Sequence, residues 1–583
     1  MPIFSKWTYI KSDLASGEYA NYWDFIAVFL VLAILVLLAF GAHGMATPYH
    51  LGQPIHISLD PAYLPYYAFR SVLRMALALI CSLIFTFIVG TAAAKSTHAE
   101  RFIIPIIDIL QSVPVLGYLS ITVVVFIALF PNSMLGPECA AIFAIFTAQV
   151  WNMTLSFYQS LRSVPSDLKE AASVFQLSAW QRFWRLDVAF AMPGLLWNMM
   201  MSMSASWFFV VASEAITVNH QSITLPGIGS YIALAVERSD MVSVVYAIIA
   251  MFIVILLYDQ ILFRPLSEWI EKFKFEQIGD EPIPSSWVIH LFRRTKLMRQ
   301  LGDLCIRGWE NCVNIRFTRA THRPSAQRYR ALTRWHNYLV TGWYIILAVL
   351  LFSACLILSY FVLSTVGFHE IWQVLGLGLI TAFRVLVLIL LSSLIWVPVG
   401  VWIGLRPRYA YIAQPVIQFL ASFPVNLVYP VVVLLIMRYH LNVNIWTSPL
   451  MILGSQWYIA FNVIAGAIAL PKDLRQAASS LGVRKGLWWR KLIIPGILPY
   501  YITGAITAAG GAWNASIIAE VVSWGHTELK ATGLGAYITQ QAHSGDFPRL
   551  ALGIAVMCLY VLTINRVLWR PMYHWAVERF TLS

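Results

Sequence analysis

The sequence predicts an all-α integral membrane protein of about 12 transmembrane helices, built as two parallel six-helix repeats. Three observations lead there: a shortage of charge, a recurrence of apolar runs, and a residue-by-residue duplication. Of 583 residues, 59% are hydrophobic and 11% charged, whereas a soluble domain is about a quarter charged. So little charge cannot cover a soluble core of this size; lipid needs no such cover. The net charge of +13 lies between the apolar runs and not on a separate hydrophilic domain. That distribution points to inner loops and lipid headgroups as partners, and to no nucleic acid. The six cysteines include no CxxC pair, so neither a metal site nor a disulfide framework is predicted.

Apolar runs fall near 25–42, 70–94, 103–130, 138–156, 193–216 and 243–263, then near 340–364, 378–404, 411–437, 444–466, 498–522 and 548–568. Each crosses about 30 Å of hydrocarbon as a helix. The uncharged run 25–42 is long for a leader and reads as a retained span. Lys and Arg gather in alternate connections: Lys95 and Arg101; Arg162, Lys169, Arg182 and Arg185; Arg264, Lys272 and Lys274. The second half repeats this with Arg406 and Arg408, then Lys472, Arg475, Arg484, Lys485, Arg490 and Lys491. The opposite connections are nearly free of them. Positive charge marks the cytoplasmic face, so six spans per half leave the termini cytoplasmic.

The duplication is direct. At an offset of 310, Arg74 meets Arg384, Gly90 meets Gly400, and Ser112 and Pro114 meet Ser422 and Pro424. At 306, Trp151 meets Trp457, Trp207 meets Trp513, and Glu214 meets Glu520. Gly227-x-Gly229-x-Tyr231 likewise meets Gly533-x-Gly535-x-Tyr537. Copies that begin and end on the same side are related by an axis along the membrane normal, with a pathway between them. The predicted units are a first repeat (1–265), a basic cytoplasmic linker (266–336) and a second repeat (337–583). Trp287, Leu291, Phe292, Leu297, Leu301 and Leu304 predict amphipathic helix on the inner headgroups within the linker, in what reads first as a tether joining two ancestral subunits.

Each half carries one long inner connection. The first reads Pro165, Asp167, Glu170-Ala171-Ala172 and Gln176; the second reads Pro471, Asp473, Gln476-Ala477-Ala478 and Gly482. Pro and Asp start a helix, and small alanines admit another surface closely. These loops resemble the signature of binding-protein-dependent ABC importer permeases: EAA, three residues, Gly, nine residues, an apolar residue and Pro. Departures are Gln176 for Gly and Ala189 for Pro in the first copy, and Gln476 for Glu in the second. Trp207 with Glu214, Trp513 with Glu520, and the Gly-x-Gly-x-Tyr segments are similar to the nitrate/sulfonate/taurine branch, in which duplicated single-chain permeases occur.

The resemblance implies a type I ABC importer permease fold in a bacterial inner membrane. It implies that 165–182 and 471–488 are coupling helices, docked on two copies of a separate ATPase subunit that binds the ATP and Mg. It also implies a periplasmic or lipid-anchored solute-binding protein and a small oxyanion as substrate. No P-loop occurs in the chain, so no cofactor is expected in it and it is read as a non-enzyme. The alternative is an ion-coupled secondary transporter with a six-plus-six repeat.

The residues also nominate a pathway. A membrane carboxylate costs about 2.5–3.5 kcal/mol, so Glu214 and Glu520 act either in gating or as hydrogen-bonded structural acids. Arg74 and Arg384 are anion contacts if the pseudo-twofold axis brings them together, or else anchors in lipid phosphates. Ser112-Pro114 and Ser422-Pro424 break the third span of each copy, where exposed backbone lines a cavity or the kink serves packing. Trp207 and Trp513 either narrow the pore or pack between helices.

Overall fold

The computed structural model describes residues 55–218, 221–270, 295–315 and 359–580, with isolated positions within 29–48, 287–289 and 342–357. The first half begins with α1 (Leu64–Phe85), followed by α2 (Thr97–Ser112), α3 (Val115–Leu129), α4 (Leu135–Arg162) and the short α5 (Ser166–Val174). It continues through α6 (Val188–Glu214), the hairpin β1 (Ala215–Val218) and β2 (Gln221–Thr224), α7 (Ile228–Glu237) and α8 (Met241–Tyr258). A linker helix α9 (Lys296–Asn314) precedes the second half. There α10 (Phe368–Gly404) leads to α11 (Pro407–Ser422), α12 (Tyr429–Arg438), α13 (Val443–Trp446), α14 (Ser448–Leu453), α15 (Gln456–Ile468) and the short α16 (Lys472–Ser480). Then come α17 (Ile494–Ala519), the hairpin β3 (Val521–Trp524) and β4 (Thr527–Lys530), α18 (Leu534–Ser544) and α19 (Phe547–Ile564).

Among the described residues, 7 helices are long and apolar enough to cross a membrane, and 3 bent pairs bring the total to 10. The predicted span 25–42 lies mostly outside the described residues, and 340–364 lies partly outside them. The architecture is all but wholly helical; the two antiparallel hairpins are an addition to the all-α expectation.

The bends have a local cause. Proline disfavours helix at the residue before it and donates no hydrogen bond. Val113 (φ −79°, ψ 123°) and Phe423 (φ −72°, ψ 123°) are therefore extended. The chain turns by 99° between α2 and α3, and by 74° between α11 and the helix that ends at Arg438. Both breaks sit where the halves meet. The N–H of Val115 donates to Asn514 Oδ1 of the other half at 2.8 Å, and Ser422 Oγ donates to Ser204 Oγ at 2.7 Å. Beyond its break α3 enters the second half's core with Val115, Leu116, Leu119 and Val123, while Leu427 is buried in the first half's core.

The duplication extends to backbone irregularities. π turns occur at Phe183–Asp187 and Trp489–Ile493, and again at Asp259–Phe263 and Asn565–Trp569, each pair 306 residues apart. One extra residue per turn re-aims the helix that follows. At the other end the β3–β4 hairpin crosses between halves. Gly525 (φ +57°) turns it, and its N–H donates to the carbonyl of Val236 in α7 at 2.9 Å.

Replacing Asn514 by Ala leaves the Val115 N–H unpaired at the inter-repeat contact. We expect a loss of about 1–3 kcal/mol of stability, read as a lower unfolding temperature in detergent, with Asn514→Asp retaining most of it.

Candidate functional site

Three features have the makings of a transport site: a cavity between the halves, two short exposed helices on one face, and a buried ionic cluster at the other. The helices α6 and α17 connect all three.

The ionic cluster accounts for four of the nominated residues. In the first half, Arg74 is wholly buried and all three guanidinium nitrogens are hydrogen-bonded. It donates to Glu138 at 2.6 and 2.8 Å, to Glu214 at 2.7 Å and to the carbonyl of Pro226 at 3.0 Å. Arg70 adds a second ion pair to Glu138. Glu214 also accepts from Ser71 Oγ at 2.5 Å and from the N–H of Gly229 at 2.7 Å. It thus caps α7, where a helix N-terminus favours negative charge.

The cap explains the glycines of Gly-x-Gly-x-Tyr. A Cβ on Gly227 would stand 2.2–2.4 Å from the Glu214 carboxyl group, and one on Gly229 would stand 2.2 Å from the Val211 carbonyl oxygen. The second half repeats the design. Glu520 accepts from Thr381 Oγ1 at 2.9 Å and from the N–H of Ala536 at 3.0 Å, and a Cβ on Gly533 would again strike the carboxylate.

This geometry departs from the nominated pathway. All the ion partners of Arg74 lie in the first half and those of Arg384 lie in the second, so the two arginines are not brought together. Arg74 presents no open face to an anion. Glu214 and Glu520 are buried caps with no opening to a channel. Trp207 packs edge-on against Tyr258, with centroids 5.5 Å apart, beside a cavity of about 20 Å³ that Ser422 also borders. Trp513 is buried in the second half's core.

A cavity between the repeats has a volume of about 70 Å³. Phe208, Phe423 and Tyr458 give it an aromatic wall, and Ser204, Ser455 and Asn514 supply polar atoms. No charged side chain lines it. Ser112 and Pro114 are absent from this wall; Val425, next to Pro424, is part of it. Ser204, Asn514 and Glu138 were not singled out from sequence. For Glu138 a signal existed, since a carboxylate at the edge of an apolar run carries the same cost as Glu214.

On the opposite face α5 and α16 project as short, largely exposed helices, with Asp167 and Asp473 in their first turns. They end alike. Gln176 and Leu177 donate to the carbonyls of Ser173 and Ala172; Gly482 and Val483 donate to those of Ser479 and Ala478. This ending needs a left-handed residue after the helix. Gly482 adopts φ +69° and Gln176 φ +49°, so Gln176 keeps the turn without glycine's freedom. Glu170, Ala171, Gln476 and Ala477 are exposed, Ala172 is tucked inward and Ala478 half-buried. Val174, Phe175 and Leu481 are 77%, 73% and 80% exposed, an apolar surface that the described chain leaves uncovered.

Behind α5, Phe183 and Trp184 pack on Phe87 and lead through the π turn into α6. Here the linker joins. Trp309 of α9 meets Trp184 edge-on at 4.6 Å, Trp180 Nε1 donates to the carbonyl of Cys312 at 2.9 Å, and Arg185 donates to Asn314 Oδ1 at 2.5 Å. The equivalent positions of the second half are Gly486, Arg490 and Lys491.

The model of the family described as "Binding-protein-dependent transport system inner membrane component" matches residues 82–264 and again 396–568. The chain belongs to this family. It is a multi-pass permease in which the family domain occurs twice. The nitrate import permease protein NrtB of Leptolyngbya laminosa is 26% identical over 40% of this chain and 82% of its own length. The taurine transport system permease protein TauC of Escherichia coli is 27% identical over 36% of the chain and 74% of its own. The bicarbonate transport system permease protein CmpB of Synechococcus elongatus is 25% identical over 31% and 62%.

Glu214→Gln leaves Arg70 and Arg74 with one buried counter-charge. Breaking a buried pair costs about 3–5 kcal/mol, so we expect little folded protein by size-exclusion chromatography. Glu520→Gln, opposite the less buried Arg384, should lower the unfolding temperature by a smaller step.

Proposed function

We propose that the chain is the complete transmembrane pathway of an ATP-driven importer for a small solute, with an oxyanion such as nitrate, a sulfonate like taurine, or bicarbonate as the first reading. The observation that carries this is the pair α5 and α16: two helices with the same start, the same left-handed ending and uncovered apolar residues, on the same face of two homologous halves. Such helices fit grooves on two ATPase subunits, which bind the ATP and Mg; Pro165, Asp167, Pro471 and Asp473 set the helix starts, and the alanines allow close approach. A solute-binding protein would deliver at the opposite face, where the hairpins lie. The Lys and Arg distribution supports placing α5 and α16 in the cytoplasm.

Force applied to α5 passes through the aromatic elbow and π turn into α6, which reaches the cavity at Ser204 and the opposite face at Glu214. The same line in the second half runs from α16 through Trp489 to Asn514 and Glu520. Closure of the ATPases would turn these two levers together and open the cavity toward one side or the other. The clasp of α9 on the first elbow, and Gln176 against Gly482, make the two docking sites unequal.

A second reading of the substrate rests on the cavity itself. Its wall is aromatic and uncharged, which suits a quaternary ammonium group. The glycine betaine/carnitine transport permease protein GbuB of Listeria monocytogenes is 30% identical over 30% of this chain and 56% of its own length. Reconstitution with the ATPase and binding protein decides: ATP hydrolysis stimulated by nitrate, taurine or bicarbonate supports the first reading, and stimulation by glycine betaine supports the second. Uptake driven by an ion gradient without ATPase would overturn both.

Ala171→Asp or Ala477→Asp places a charge on the docking face without touching the fold. We expect each to reduce stimulated hydrolysis and ATPase copurification at least about tenfold, with an unchanged unfolding temperature.

A further inference from the structure

The two halves hold equivalent arginines in unequal surroundings. Arg74 has two carboxylate partners; its equivalent Arg384 has one, because Asn444 stands where the first half has Glu138. The first half's additional cation, Arg70, is likewise matched by Ile380. Both halves remain neutral, yet the second guanidinium is left loosely held. Its described bonds are to Glu520 Oε1 and Asn444 Oδ1, each at 3.3 Å. A guanidinium has five N–H donors, so most are unspent. The Arg384 side chain is 13% exposed where that of Arg74 is 0%.

Its location says what reaches it. α10 packs against α11, α14, α15, α17, α18 and α19 of its own half, and none of its residues lines the inter-repeat cavity; Arg384 lies on its flank. Leu379 and Phe383 on α10, and Ile445 and Trp446 beside Asn444, are exposed apolar side chains. They make a lipid-facing collar with Trp at its rim, the composition of a membrane–water interface. Glu520 caps α18 at the end of α17 farthest from the docking helices, which sets the depth at that interface. A guanidinium matches phosphate with paired hydrogen bonds.

We propose that Arg384 and Asn444 form a phospholipid headgroup site in the leaflet opposite the docking helices, the lipid phosphate taking the place that Glu138 holds against Arg74. The site is independent of the transported solute and of the ATPases. Native mass spectrometry of the full chain, released from detergent containing phosphatidylglycerol, tests it. The wild type should retain one more phosphatidylglycerol than Arg384→Gln. Asn444→Glu, which restores the first half's carboxylate, should also lose that lipid while unfolding at an equal or higher temperature than the wild type. Equal retention by wild type and Asn444→Glu would overturn the proposal. Displacement of the lipid by millimolar nitrate or inorganic phosphate would overturn it too, since the site would then serve a dissolved oxyanion.

Discussion

A carboxylate sealed inside each half, at the end of α6 or α17 remote from the short exposed helices, is the interaction on which the architecture at that face depends. Glu214 and Glu520 each bind a hydroxyl and an arginine of α1 or α10 together with the N-terminus of the helix that follows the hairpin. One side chain thereby fixes the angle at which three elements meet. Desolvating an ion is expensive, and its low-dielectric surroundings strengthen every bond that compensates it. The arrangement therefore holds only when complete, and it leaves no room for side chains at Gly227 and Gly533. The hairpins that follow return the chain to the cap: the N–H of Leu225 donates to the carbonyl of Glu214, and that of Ala531 to the carbonyl of Glu520, each at 2.8 Å.

From that fixed end, α6 and α17 stay helical past the cavity, with Pro193 and Pro499 inside them, to the π turns behind the short exposed helices. A continuous helix transmits rotation, whereas a proline break absorbs it. The third span of each copy, broken at Pro114 and Pro424, is among the parts that meet the other half, through Asn514 and Ser204. Each broken span thus meets the long helix of the opposite copy that ends at a buried carboxylate.

Much of this is legible in the residues. The fused duplication, the helical class and the breaks before Pro114 and Pro424 follow from spacing and from proline chemistry, which act locally. The membrane carboxylates are conspicuous because their cost demands an explanation. What the sequence does not reveal is their partners. Arg74 and Glu214 are separated by 140 residues, and choosing between a buried ion pair and an anion contact requires knowing what packs around the guanidinium. The hairpins are equally hidden: four-residue strands beginning at Ala215 and Val521 read as continuations of apolar helices until the caps stop them. Asn514 resembles any polar residue on an apolar helix; only the opposing break at Pro114 shows what it binds.

Among the described residues the linker helix meets the first elbow, through Trp180, Trp184 and Arg185, where the second half has Gly486, Arg490 and Lys491. In a channel made from two identical chains, every substitution arrives twice and must be tolerated at both places. Joining the copies removes that rule. Each side drifts under its own selection, and a device needed once, such as this clasp, is inherited without its mirror image.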